Sequence, residues 1–112
     1  MLAAAELRRR GYAISAINFR TRFGEIDIVC ERHDVVVFVE VKTRRTDRRG
    51  AAVESIPFWK RRRIGAMALD YLPAAGKTCR HVRFDVVAID HAGTERQTMR
   101  VIEDAFRPGD WR

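Results

Sequence analysis

Apolar positions in this chain recur with two periods. Glu25 to Cys30 and Val35 to Lys42 are rich in Val, Ile and Phe, with the polar tetrad Glu31–Asp34 between them. β-branched and aromatic runs around a short polar break predict a hairpin. Between Ser55 and Leu72, the residues Ile64, Met67, Ala68, Tyr71 and Leu72 follow three- and four-residue spacing. That spacing predicts the main helix, with one buried stripe. Ser55 is its expected N-cap, Pro57 falls in its first turn, and Pro73 and Gly76 end it. Leu2 to Arg10 predicts a shorter helix that stops at Gly11. Tyr12 to Arg20 predicts a first strand, with Tyr12, Ile14, Ala16 and Asn18 alternating against Ala13, Ser15, Ile17 and Phe19. Val82 to Asp90 predicts another strand. Gln97 to Glu103 predicts a final edge strand, pairing antiparallel through Met99, Val101 and Phe106. Residues 43–50 read as a polar loop and 107–112 as a tail.

The hairpin carries the candidate chemistry. Side chains alternate along a strand, so Glu25, Asp27 and Val29 share one face, and Val36, Phe38, Glu40 and Lys42 share the matching one. With the tetrad as the loop, Cys30 opposes Val35 and Asp27 opposes Phe38. Glu40 is then diagonal to Asp27, within reach of a common ion. Ile26, Ile28, Cys30, Val35, Val37, Val39 and Val41 make an apolar face. A solvated charged face is the ordinary explanation of such alternation. Yet Asp is a poor strand former, and these acids gather around one point. Mg²⁺ takes oxygen ligands and is typically held by one or two carboxylates. Asp27 and Glu40 are therefore candidate ligands, and Lys42 a candidate to orient water or neutralise phosphate charge.

At these residues the sequence resembles the D…(D/E)-x-K signature of the PD-(D/E)XK nuclease superfamily. More narrowly, Gly11-Tyr12, Asn18-Phe19-Arg20, Gly24-Glu25-Ile26-Asp27, Phe38-Val39-Glu40-Val41-Lys42 and Arg83-Phe84-Asp85-Val86-Val87 resemble the bacterial YraN family, which is similar to archaeal Holliday-junction resolvases. The resemblance implies a single restriction-endonuclease-like α/β domain over residues 1–112. Its αβββαβ core would hold a central mixed sheet flanked by helices. It also implies Mg²⁺ or Mn²⁺ as cofactor and phosphodiester substrates. Asp27, Glu40 and Lys42 take the catalytic positions. The Val41 carbonyl would join Asp27 and Glu40 on the metal, with Glu25 a candidate supporting acid or second-metal ligand. Family members usually carry a helix glutamate about one turn upstream of the first Ala-Ala. This chain starts Met1-Leu2-Ala3-Ala4 without it, so the first helix reads as shortened.

Charge extends the picture. Lys and Arg number 22 against 15 Asp and Glu, a net charge of +7. A basic balance favours a nucleic-acid partner, and the resemblance implies that it is DNA. Arg44, Arg45, Arg48 and Arg49 follow directly on Lys42, and Lys60, Arg61, Arg62 and Arg63 sit early in the main helix. Cations there oppose the helix dipole, which phosphate binding explains and stability alone does not. Phe58 and Trp59 read as core, with base stacking as the alternative. Asp85 reads as a structural ion-pair partner of Arg83 or Arg80. No stretch has the length of a membrane span, no secretory signal is evident, and the expected compartment is the cytoplasm. A homodimer is left open. Two functions compete: a metal-dependent nuclease, and a nucleic-acid-binding module that keeps the fold with little chemistry.

Overall fold

The computed structural model describes residues 2–45, 56–76 and 81–108. Its elements are α1 (Leu2–Arg9), β1 (Ala13–Thr21), β2 (Gly24–Arg32), β3 (Val35–Thr43), α2 (Phe58–Ala74), β4 (Val82–Asp90) and β5 (Thr98–Ile102). The strands form one five-stranded sheet in the order β1-β2-β3-β4-β5. β3 and β4 are parallel and the other neighbours antiparallel. Parallel neighbours need a crossover, and α2 lies on that connection. The result is an α/β fold of restriction-endonuclease-like type, the expected αβββαβ order with β5 added. Among the described residues no helix is long and apolar enough to cross a membrane.

Both faces of the sheet are buried. On one, α2 packs Ile64, Met67, Ala68, Tyr71 and Leu72 against Val29, Val36, Phe38, Phe84, Val86 and Ala88. Phe38 stacks on Phe84 at 5.6 Å between ring centres and meets Tyr71 edge-on at 5.7 Å. Each such pair adds about 0.5–1.5 kcal/mol beyond area burial. On the other face, α1 packs Ala3, Ala4 and Leu7 against Tyr12, Ile28, Cys30, Val37, Val39, Val87 and Ile89. The hairpin therefore does not have one apolar and one solvated face. Its acid-bearing face is the one that α2 covers. Burial pushes the Cys30 thiol up to about 12, which keeps it a neutral core group.

α1 ends as its sequence dictates. Gly11 adopts φ +92°. Tyr12 N–H donates to the Leu7 carbonyl and Gly11 N–H to the Arg8 carbonyl, a glycine-dependent helix stop. α2 starts later than expected. Pro57 (φ −66°, ψ 155°) is the N-cap residue and no side chain caps the helix, while Ser55 lies outside the described residues. α2 also runs through Pro73 to Ala74, and Gly76 follows at φ +69°.

The hairpin turn is tighter than the tetrad suggests. β2 and β3 pair from Arg32–Val35 onward, leaving only His33 and Asp34 as the loop. Both have positive φ, 51° and 63°, the two-residue turn that matches strand twist. Cys30 thus opposes Val37 rather than Val35. The shift is two residues, so most side chains keep their face, and the ladder ends at Ile28–Val39, one residue short of Asp27 and Glu40.

β1 departs from simple alternation. Its register with β2 slips between Ile14 and Ala16, and Asn18 sits at φ +53°. Ile14 packs with the α1-side core, whereas Ala16 and Phe19 pack with the α2-side core. Across from Asn18, β2 breaks alternation as well. Ile26 joins Val29 in the α2-side cluster, so it is not part of the Ile28–Cys30 face. Past Ile102 the chain turns at Asp104 (φ +51°), which takes Phe106 out of the β5 pairing. The Phe106 ring lies 5.6 Å from that of Phe84. Pro108 is buried.

Candidate metal and phosphodiester site

The site lies where two strands part. The β2–β3 ladder runs from Arg32–Val35 to Ile28–Val39 and stops, although β2 begins at Gly24 and β3 continues to Thr43. Beyond that point β2 pairs only with β1, and β3 only with β4. A backbone N–H at such a fork loses its ladder partner. Val41 N–H is satisfied instead by the Asp27 carboxylate, Oδ2 accepting at 2.7 Å. Burial is the main force raising Asp27 above the usual carboxylate range, and the negative charges of Glu40 and Glu25 add to it. The Val41 hydrogen bond and Lys60 oppose the rise.

Glu40 is 9 % exposed. The parallel register pairs it with Val86, and Lys42 with Ala88. Both partners belong to the α2-side core, so Glu40 and Lys42 share the face that α2 covers. A buried carboxylate needs a countercharge, and α2 supplies it. Lys60 Nζ donates to Glu40 Oε1 at 2.9 Å. Lys60, expected among the phosphate-binding cations, is thus placed beside Glu40. Its helical spacing carried the signal. Lys60, Ile64, Met67 and Tyr71 stand at i, i+4, i+7 and i+11, so Lys60 extends the buried stripe by one turn toward the sheet.

The other expected residues scatter. Glu25 is exposed and lies 3.6 Å from Arg20. Arg44 is half-buried, its Nε 3.5 Å from Oδ1 of the buried Asp90, which also pairs with Arg100 at 2.9 Å. Arg45 is exposed, and Arg48 and Arg49 lie outside the described residues. Arg61 Nε donates to the Ile56 carbonyl at 3.0 Å. Arg62 and Arg63 reach solvent. Asp85 forms the two-bonded ion pair with Arg83 at 2.9 Å and accepts the Asp104 N–H. Phe58 and Trp59 are not core; both are exposed. Among the described residues no group of three His, Cys, Asp or Glu side chains converges.

The fold is that of an α/β protein of restriction-endonuclease-like architecture, and at its strand fork the Asp27 carboxylate accepts the Val41 N–H beside Glu40. The family model "Uncharacterised protein family UPF0102" matches residues 1–89. A UPF0102 protein of Syntrophomonas wolfei is 46% identical over 88 residues, 79% of this chain and 76% of that protein. One from Rhodococcus jostii is 41% identical over 105 residues, covering 94% and 89%. One from Geobacter sulfurreducens is 42% identical over 105 residues, covering 94% and 82%. The chain belongs to the UPF0102 family, the YraN proteins.

Proposed function

We propose that this protein is a metal-dependent nuclease-like enzyme acting on DNA phosphodiesters, with branched or otherwise structured DNA as its substrate class. The observation that carries the reading is the fork itself, where Asp27 accepts the Val41 N–H beside Glu40, with Lys42 on the Glu40 face. The donor set suits a hard divalent cation, which one or two carboxylates typically hold. Asp27, Glu40 and the Val41 carbonyl would hold Mg²⁺ or Mn²⁺, with Glu25 nearby. The bound ion would supply Lewis-acid polarisation of a phosphodiester and a more acidic water. Lys42 would orient that water or neutralise charge on the phosphate. Lys60 pairs with Glu40, and α2 covers the face on which it lies.

A binding module with little chemistry is the second reading. It is favoured by one observation: the Lys60 ammonium already occupies Glu40. A cleavage panel separates the two. Linear, nicked, flapped and four-way DNA, and RNA, are incubated with Mg²⁺, Mn²⁺ or EDTA. The nuclease reading expects metal-dependent cleavage that EDTA abolishes. Binding without cleavage of any substrate supports the module instead.

A further inference from the structure

Two of the chain's largest apolar side chains stand in solvent. Phe58 and Trp59, at the start of α2, are 61 % and 60 % exposed. Neither belongs to a core cluster. At ~100° per residue, Phe58, Arg62, Trp59 and Arg63 span about 140° of the helix surface. That arc faces away from the buried Ile64, Met67, Ala68, Tyr71 and Leu72. Aromatic and guanidinium groups alternate across it. The Arg63 guanidinium lies 5.0 Å from the centre of the Trp59 ring.

Apolar burial does not account for this arrangement. Aromatic area left in water gains no transfer energy. The first turn of α2 holds no acid, and cations early in a helix oppose its dipole. Aromatic faces interleaved with arginine are what a single nucleic-acid strand uses: bases stack, and guanidinium groups take the phosphates. A second copy of this chain fits poorly. A two-fold contact would set the same arginines against each other on a molecule of net charge +7.

We propose that this face of α2 is a stacking platform for unpaired bases, with Arg62 and Arg63 on the adjoining phosphates. The inference rests on the functional reading above and narrows it to strands with unpaired nucleotides. The platform adjoins the fork, because Lys60, the residue after Trp59, reaches Glu40 at 2.9 Å.

The test is a fluorescence titration. Trp111→Phe leaves Trp59 as the reporting indole. The probes are a 12-nucleotide oligo(dT) and a 12-bp duplex. The expected result is quenching of Trp59 by oligo(dT). Phe58→Ala and Trp59→Ala, each followed by anisotropy of labelled oligo(dT), should weaken binding about 5- to 100-fold, with the salt slope unchanged. Trp59→Phe should recover most of the loss. Duplex affinity should change less than twofold. Far-ultraviolet circular dichroism checks folding, which exposed substitutions should preserve. Unchanged oligo(dT) affinity in both alanine variants overturns the platform while the functional reading stands. So does a wild-type dimer that these variants dissociate without loss of binding. Wild type that binds neither probe overturns the functional reading, and the platform with it.

Discussion

Lys60 Nζ and Glu40 Oε1 meet at 2.9 Å across the gap between α2 and β3. Glu40 is nearly sealed from water, whereas Lys60 is a third exposed. Removing the ammonium leaves a buried charge without its partner, which is costlier than removing both. Lys60→Met should therefore destabilise the fold by about 1–3 kcal/mol in urea unfolding. Adding Glu40→Gln should recover part of that loss. Under the functional reading, Mg²⁺ should raise the melting temperature of Lys60→Met more than that of wild type, since a bound cation replaces the lost charge. A variant as stable as wild type would show that the pair contributes little.

Catalysis, where the cleavage panel finds it, should depend on the fork. Glu40→Gln and Lys42→Ala should each lower the cleavage rate at least ~100-fold, the usual scale for losing a positioned catalytic group. Gln is chosen at position 40 because that side chain is buried and must keep an acceptor for Lys60. Wild-type rates from either purified variant would place the activity elsewhere.

Duplex binding should draw on the solvent-facing arginines of α2. Arg61 is tied to the Ile56 carbonyl, so Arg62 and Arg63 are the pair to replace. Each lost phosphate contact reduces the log–log salt slope by about 0.9. Arg62→Gln with Arg63→Gln should then lower the slope by about 1–2 units and weaken binding similarly across sequences. An unchanged slope in a salt titration would remove both from the phosphate track.

Acid should loosen α1. Hydrogen bonds from Arg9, then Arg10, lower Glu6 to about 2 from its ordinary 4.5. A depressed carboxylate contributes stability above its unfolded value and loses it as pH falls through the folded one. The contribution is therefore whole above 4.5 and gone near 2. Glu6→Gln should be less stable than wild type at pH 7 and equal to it near pH 2. Thermal melts across that range would reveal a pH-independent difference if the ion pairs contribute nothing.

The hairpin turn offers a stabilising change. His33 and Asp34 both adopt positive φ, which Asn-Gly suits better. Replacing them with Asn and Gly should add about 0.5–1 kcal/mol in urea unfolding without altering the fork. A loss of stability would mean that the native side chains contribute more than their backbone strain costs.

Much of this was legible in the residues. The period-two runs gave the hairpin, and the stripe Ile64, Met67, Ala68, Tyr71 and Leu72 gave the face of α2. Asp27, Glu40 and Lys42 stood out as charges in strand positions. Three features were harder to read. The turn length depended on His33 and Asp34 adopting left-handed backbone, which neither residue type demands. The fork depended on where a ladder stops, which no local pattern encodes. The exposure of Phe58 and Trp59 was encoded, since both lie opposite the stripe, but their apolar character argued for the core. Lys60 was likewise readable as one more turn of the stripe, and its charge pointed to solvent instead.

The irregular β1 has a consequence for colonies of this molecule rather than for one copy. β1 forms one border of the sheet, where unpaired N–H and C=O groups can template an incoming strand. The register slip beside Ser15 and the left-handed Asn18 bend that border out of line. The opposite border, β5, is only five residues long and carries Arg100. Neither offers a straight run for edge-to-edge growth into aggregates. The same kinks that spoil alternation in β1 thus work against edge-to-edge pairing of a Val-rich sheet.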